Sequence, residues 1–196
     1  MNRLREKLIN AFIYFVSNTE NCGITKIGKL LYFFEFEHFS QTGIPPIGLT
    51  YFAAKNGPLS YDFWEEISKG VFSPDFSDVA IAIQVTYSEE VKGHLIRVKD
   101  GVKPNMKIFS PREQRIMKEV AEKYRYARAV DMSEITHEDK KPWDRTIREK
   151  GINGSIDYLY AIDENSPISL EQAKTSLADF NEVYSLFGQE AAGYQW

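Results

Sequence analysis

The segment from Ile24 to Ile67 constrains the fold most strongly, because it concentrates aromatic residues on a helical pattern. One apolar stripe at helical spacing contains Ile27, Leu30, Leu31, Phe34 and His38. Much of the remaining helix surface is also aromatic, with Tyr32, Phe33, Phe36 and Phe39. A helix that is apolar almost all round is usually buried in the middle of a domain. We therefore predict a central helix that Thr25 caps and that Gly43 ends.

Helical patterns continue on both sides of this segment. Leu4, Leu8 and Phe15 predict a first helix over residues 3–18. Ser60 is placed to cap a helix that Gly70 would end, and Val71 to Asp78 is predicted to be a loop.

Three further helix starts follow in the second half of the chain. Ser110 to Glu113 has proline at the first helical position and a capping box. Asp131 to Glu134 predicts a second capping box, which opens a short helix before Pro142. Residues 169–187 predict a last helix, which Gly188 ends, and residues 189–196 a mobile tail.

Extended segments are short. Val79–Tyr87, His94–Val98 and Met106–Phe109 predict an antiparallel meander of about three strands, with Glu89-Glu90 in the first turn. Leu49 to Ala54 is a further extended stretch, and Asn56-Gly57-Pro58 predicts a turn after it. We expect an α+β fold: a mainly helical single domain over residues 1–196 with a small antiparallel sheet.

Composition and charge limit the classes of function. Cys22 is the only cysteine, which suits a reducing compartment, and no apolar run reaches the length of a membrane span. We therefore expect a cytoplasmic protein without a membrane partner. The net charge of -4 disfavours nucleic acid as a partner, since such binding needs a basic surface that neutralises phosphates.

Signatures of catalysis are weak in this sequence. It has no G-x-G-x-x-G or P-loop pattern, and its three histidines are too far apart to predict a metal site. Cys22 with a histidine could form a nucleophilic dyad, although no local pattern supports one. His137 could act as a general base with Glu134 or Asp139, because Glu134 shares its helix face. We expect no enzyme activity, no cofactor and no metal; a hydrolase-like use of His137 stays as an alternative.

Two segments resemble a known family. The first is Ile24 to Phe33, with Lys29-Leu30-Leu31-Tyr32 at its centre, followed by Tyr51 to Pro58 with its Gly-Pro end. The second is Met132 to His137, followed by Pro142-Trp143. Their order and spacing resemble the Panacea domain of the SocA-like antitoxins over about residues 24–160. The four residues before Pro142, Glu138 to Lys141, form a longer insertion than the family pattern has.

The resemblance implies a bacterial or phage antitoxin of a toxin–antitoxin system, which neutralises a cognate toxin by direct protein contact. It also implies an alternative, a proteolytic adaptor that delivers the toxin to a AAA+ protease. Interfaces draw their affinity from a few buried aromatic and arginine anchors. On that basis the candidate partner-binding residues are Lys55, Tyr61, Trp64, His137, Trp143 and Arg145. Trp64 and Trp143 could equally belong to the core.

Overall fold

The structure is a computed structural model that describes residues 2–68, 72–86, 92–138 and 141–192. The α+β prediction is confirmed, with a mainly helical chain and two small antiparallel hairpins in this part. The helices are α1 Arg3–Asn18, α2 Ile24–Thr42, α3 Tyr61–Ile67, α4 Pro74–Val79, α5 Pro111–Lys123, α6 Ala129–Thr136, α7 Pro142–Lys150 and α8 Leu170–Ala192. The strands are β1 Phe52–Ala54, β2 Gly57–Leu59, β3 Ala80–Thr86 and β4 Lys92–Val98.

Helix α2 is the central element, as its apolar surface predicts. It contacts helices α1, α3, α5, α6 and α8 and strands β2 and β4. One face packs into a large apolar cluster around Phe12, Phe15, Phe34 and Met117. The opposite face packs into a smaller cluster of Tyr32, Phe36, Tyr51, Ala53 and Ile156. Gly43 ends α2 in the left-handed conformation, as predicted, with φ 71°. The cap at Thr25 is wrong, since α2 begins after Gly23 without a side-chain cap.

The two hairpins correct the prediction of one meander. Strands β3 and β4 pair from Ala80↔Val98 to Thr86↔Lys92, and the turn predicted at Glu89-Glu90 lies outside the described residues. The third strand is wrong: residues Met106–Ile108 form a 3-10 helix that Asn105 caps. The turn at Asn56-Gly57-Pro58 is displaced, because Gly57 and Pro58 belong to β2 and pair with β1.

Tertiary contacts explain helix α4, which the sequence predicted to be a loop. The Arg5 guanidinium on α1 binds Asp75 in the first turn of α4 and Glu66 on α3. Phe76 is fully buried against Phe12, with ring centroids 4.9 Å apart. These two contacts come from residues about sixty or more positions away in sequence, so no local pattern could reveal them. The predicted end of α3 at Gly70 lies outside the described residues.

The C-terminal half corrects two helix ends. The capping box of α5 at Ser110 and Glu113 is confirmed. Helix α6 begins at Ala129, and the Asp131 carboxylate accepts from the backbone N–H of Arg128. The helix start predicted at Asp131 is therefore wrong. Helix α8 passes through Gly188 and continues to Ala192, so its predicted end is wrong. Within the described part of the chain, no helix is long and apolar enough to cross a membrane.

Candidate functional site

The two segments that carry the family resemblance meet at one corner of the molecule. Lys29 on α2 reaches across to the β1–β2 hairpin. Its Nζ donates to the carbonyl oxygens of Asn56 at 2.9 Å and Pro58 at 3.2 Å. Helix α6 contacts β2 from the other side, and α7 contacts β1. We call this arrangement of α2, the hairpin and the α6–α7 junction the hairpin corner.

Lys29 is buried without a carboxylate partner in the described part of the chain. The residue is only 3 % exposed, and its ammonium is held by backbone carbonyls alone. Burial disfavours the charged form and lowers the pKa of Lys29 to about 7. Lys29 therefore links α2 to the turn of the hairpin through a charge that is close to titration at neutral pH.

Gly57 allows the close approach that Lys29 needs. Its φ of +98° lies in the region that favours glycine. A Cβ at this position would lie 2.7 Å from the Thr136 hydroxyl oxygen and closer still to the Lys29 ammonium nitrogen. No larger residue fits at this position between α2 and α6 without a shift, which explains the glycine of the Gly-Pro motif in physical terms.

His137 and Trp143 close the other side of the corner. Their rings stack with centroids 3.9 Å apart and an interplanar angle of 24°. Trp143 Nε1 donates to the carbonyl oxygen of Ala54 at 3.0 Å, which ties α7 to β1. His137 Nε2 is buried and has no hydrogen-bond partner among the described residues. Burial and the nearby positive charge of Lys29 lower the pKa of His137, so the imidazole is neutral at physiological pH.

Of the two acid–base pairs predicted at His137, the pair with Glu134 is not assembled. Glu134 is exposed, and no hydrogen bond joins it to the imidazole. The other candidate partner, Asp139, lies outside the described residues. His137 is placed instead as a packing residue beneath Trp143.

The candidate residues Lys55, Tyr61 and Trp64 lie on the outer side of the corner. Lys55 sits in the exposed turn of the hairpin, and Trp64 on α3 is 40 % exposed. Tyr61 is half-buried, with its ring 5.2 Å from that of Phe52. Its hydroxyl donates to Asn153 Oδ1 at 3.0 Å. Trp64 is thus a large apolar side chain that is partly exposed at the surface.

Arg145 belongs to a different surface. It lines a groove of about 1030 Å³ between α2, α5, the α6–α7 junction and the segment 160–167. Its guanidinium lies over the ring of Tyr160, 4.4 Å from the centroid. Helix α7 therefore separates the two surfaces: Trp143 faces the hairpin, and Arg145 faces the groove. The six predicted residues do not form one patch.

Other nucleophiles and ligands are held in structural roles. Cys22 is buried, and burial raises the pKa of its thiol to about 11, so it is protonated at neutral pH. His38 is buried at the end of α2, and its Nδ1 lies 2.8 Å from the carbonyl oxygen of Ile44. Within the described ranges, no three His, Cys, Asp or Glu residues are grouped so that they could hold a metal ion.

Comparison with known proteins assigns the family. The model of the antitoxin SocA-like Panacea domain matches residues 27–144, more than half of the chain. The protein therefore belongs to the SocA-like Panacea antitoxin family, and the resemblance predicted from sequence is confirmed. The matched region spans α2, the hairpin, α6 and the start of α7, which are the elements of the hairpin corner. Neither a curated protein nor a solved structure matches the chain.

Lys29 belongs to the site but is not among the residues predicted from the sequence. A signal was present, because a lysine on a helix that is apolar all round has little access to solvent and must find acceptors inside the protein. The acceptors themselves are backbone carbonyls of Asn56 and Pro58, which leave no trace in the side-chain pattern.

Proposed function

We propose that this protein is an antitoxin that neutralises a cognate toxin by direct protein–protein contact. The observation that carries the proposal is membership of the SocA-like Panacea family, whose matched region contains the whole hairpin corner. Among the described residues, the His137 ring is packed against Trp143 and has no hydrogen bond to Glu134, which supports a binding role for this corner.

The proposed contact surface includes the exposed side of the corner. Trp64 and Lys55 provide an aromatic anchor and a cation at the surface, and Tyr61 adds a half-buried ring at the start of α3. In this proposal His137 and Trp143 act indirectly: they fix the hairpin on which Lys55 is carried. Arg145 contributes from the neighbouring groove.

Co-expression tests the proposal. The product of the gene adjacent to the one encoding this protein is expressed alone, with the wild-type chain, and with the double variant Lys55→Glu/Trp64→Ala. We expect growth arrest alone, growth with the wild-type chain, and arrest with the variant. Tyr126→Ala is a matched control, because Tyr126 is 76 % exposed on the loop between α5 and α6, away from the hairpin.

Two results would contradict direct neutralisation. If the neighbouring product is harmless alone, or stays lethal beside the wild-type chain, the proposal is wrong. The adaptor alternative makes a separate prediction: the half-life of the toxin falls when this protein is present, and neutralisation is lost in cells without the protease. An unchanged toxin half-life together with a purified toxin–antitoxin complex supports neutralisation by contact.

A further inference from the structure

Strand β3 has an open edge in the described part of the chain. On one side it pairs with β4 along its whole length, and β4 is bridged on its own far side to Gly23 through Leu95. On the other side of β3 no strand of the described ranges is paired, so the sheet ends there.

The backbone groups that face this open edge can be assigned from the hydrogen bonds of β4. Ile96 donates its backbone N–H to Cys22, on the side of β4 that faces away from β3. Because hydrogen-bonded and non-hydrogen-bonded pairs alternate in an antiparallel ladder, Ala82, which lies opposite Ile96, directs its own N–H and C=O away from β4. Gln84, two residues further on, does the same. Among the described residues, no hydrogen bond reaches these outward groups of Ala82 and Gln84.

This edge lacks the features that usually prevent strand pairing, which are charged side chains, prolines, bulges and short length. From Val79 to Tyr87 the sequence has no charged residue and no proline, although 27 % of the chain is charged. The ladder with β4 runs from Ala80 to Thr86 without a bulge. The edge of β3 is therefore free to pair with a further strand.

Three β-branched side chains on one face of β3 are left out of the core. Ile81, Ile83 and Val85 share this face because side chains alternate along a strand. None of the three belongs to the two apolar clusters of the described residues. Ile83 is 37 % exposed, and it is the middle residue of the seven-residue strand.

From this arrangement we propose that β3 pairs antiparallel with β3 of a second copy of this chain, about a two-fold axis at Ile83. In this register Ala82 of each copy lies opposite Gln84 of the other, and the two residues exchange the backbone hydrogen bonds that they lack in the single chain. Ile83 lies against Ile83 of the second copy, and Ile81 against Val85, so the apolar face is extended by cross-strand pairs.

The position of Ile83 favours a second copy over an unrelated strand. An unrelated strand satisfies the outward backbone groups in many registers. The register that pairs all seven residues of β3 with their own copy is centred on the middle residue, and that residue is the most exposed apolar side chain of the strand. The contact is isologous, and it places no like charges opposite each other because the strand has none.

The oligomeric state of the full chain tests this pairing. Sedimentation velocity of the wild-type chain should show a shift from monomer to dimer between about 5 µM and about 500 µM, since pairing along one strand edge belongs to the small, weak interfaces. Ile83→Lys sets two like charges against each other at the axis and should remain monomeric over the whole range. Ile44→Lys is the matched control, because Ile44 is 40 % exposed in the loop after α2, and it should dimerise as the wild-type chain does.

Mixing two charge variants tests the register. Ile83→Glu should also be monomeric by itself, for the same reason as Ile83→Lys. An equimolar mixture of the two variants should dimerise again, because opposite charges then meet at the axis. A mixture that stays monomeric overturns the register, since residue 83 then does not face its own copy.

The remaining outcomes separate this dimer from the proposed function. Circular dichroism and thermal unfolding show that each variant is folded. A wild-type chain that is still monomeric at about 500 µM overturns the dimer, and so does a dimer that folded Ile83→Lys retains, because another surface then joins the copies. If the wild-type chain is monomeric and Ile83→Lys loses toxin binding, the edge receives a strand of the toxin instead, which also overturns the dimer. Lys55 and Trp64 lie on other elements, so failure of the dimer leaves the antitoxin proposal to its own co-expression test.

Discussion

At the scale of single residues, α2 carries two lysines that the fold buries almost completely. Lys26 and Lys29 are 2 % and 3 % exposed. Each donates to two backbone carbonyls: Lys26 to Glu20 and Arg125, and Lys29 to Asn56 and Pro58. A buried ammonium must satisfy its donors inside the protein, so each lysine fixes a neighbouring loop against α2. These hydrogen bonds to backbone carbonyls, rather than ion pairs, hold the two loops against α2.

Lys29 should make the stability of the protein depend on pH above neutrality. Its pKa of about 7 in the folded chain is lower than the ordinary value of 10.5 in the unfolded chain. Between these values the unfolded state binds more protons, so the free energy of unfolding rises with pH, by at most about 1.4 kcal/mol per unit. We expect this rise between pH 7 and 8.5 in urea unfolding of the wild-type chain, relative to Lys29→Met.

Lys29→Met should also be less stable at pH 8.5, because it leaves two buried carbonyls without a donor. Lys103→Met is the control: Lys103 is exposed, and its substitution should leave the pH profile of the wild-type chain unchanged. A wild-type profile that matches that of Lys29→Met over this range would show that Lys29 does not titrate as described.

Glu35 should make the stability of the protein depend on pH in the opposite direction to Lys29. It is fully buried on α2 and accepts from the backbone N–H groups of Gly48 at 3.2 Å and Leu49 at 3.0 Å. Burial raises the pKa of Glu35 to about 7, and these hydrogen bonds oppose the rise only in part. The carboxyl group therefore holds the segment that leads from α2 into β1 while it stays close to titration.

The sign of the pH effect for Glu35 follows from its raised pKa. Between its ordinary value of 4.5 and about 7 the folded state binds more protons, so stability should fall as pH rises through this window. Glu35→Gln should remove that fall, measured by urea unfolding at pH 5 and pH 7. Glu37→Gln, at an exposed position two residues further along α2, is the matched control and should keep it. An identical profile for Glu35→Gln and wild type would contradict the assignment.

At the scale of elements, the β1–β2 hairpin depends on tertiary contacts for its place. It has three residue pairs, from Phe52↔Leu59 to Ala54↔Gly57, and a two-stranded hairpin of this size is marginal by itself in water. Lys29 holds its turn, Trp143 bonds to Ala54, and Tyr158 donates to Leu49 at 2.7 Å just before β1. The orientation of the hairpin therefore depends on these tertiary contacts.

Gly57→Ala should be far more disruptive than the same change at another glycine with positive φ. Gly101 has φ +81° and no atom within 4 Å of an added Cβ, so Gly101→Ala should cost about 1–2 kcal/mol for the backbone conformation alone. Gly57→Ala adds the clash with Lys29 and Thr136 and should cost clearly more. Thermal or urea unfolding measures the difference; equal costs at the two positions would show that α2 and α6 can move apart freely.

Helix starts and ends were predicted correctly where they depend on residues that are close together in the sequence. The capping box at Ser110 and the left-handed stop at Gly43 depend on residues within a few positions, and both are confirmed. Prediction from the sequence failed where a distant partner decides the structure. Residues 74–79 form a helix whose acidic first turn binds Arg5. Met106–Ile108 forms a 3-10 helix rather than a third strand, and the backbone N–H of Asn105 just before it donates to Asn10 Oδ1 on α1 at 2.6 Å.

At the scale of the whole molecule, helix α8 is docked by its first half. Ala173 is fully buried, and its backbone lies close to Gly43 at the end of α2. Phe180 approaches Gly48, beside Leu4 of α1. Residues 181–185 are then exposed throughout, including Val183 at 55 % and Tyr184 at 49 %. The apolar spacing of this helix predicts that Tyr184 faces inward, and its exposure shows that this prediction is wrong. Among residues 170–185, the packing of α8 on the rest of the protein therefore ends near Phe180.

Substitutions in the packed first half of α8 should destabilise the protein more than substitutions at its exposed residues 181–185. Ala173→Leu inserts a larger side chain where no space exists and should destabilise the protein by about 1–3 kcal/mol. Val183→Ser changes an exposed position and should stay within about 0.5 kcal/mol of wild type. Thermal unfolding of the two variants checks the prediction. A large loss for Val183→Ser would show that the second half of α8 also packs on the body.

The sequence by itself determined the central helix, the α+β class and the family. These depend on apolar periodicity and on short motifs. Both can be recognised in the sequence because they involve residues that are close together along the chain. Only the tertiary structure decided that Lys29, Gly57, His137 and Trp143 form one corner and that Arg145 faces a separate groove. The physical reason is that these contacts join backbone carbonyls and side chains from distant elements, and their geometry exists only when the core is assembled.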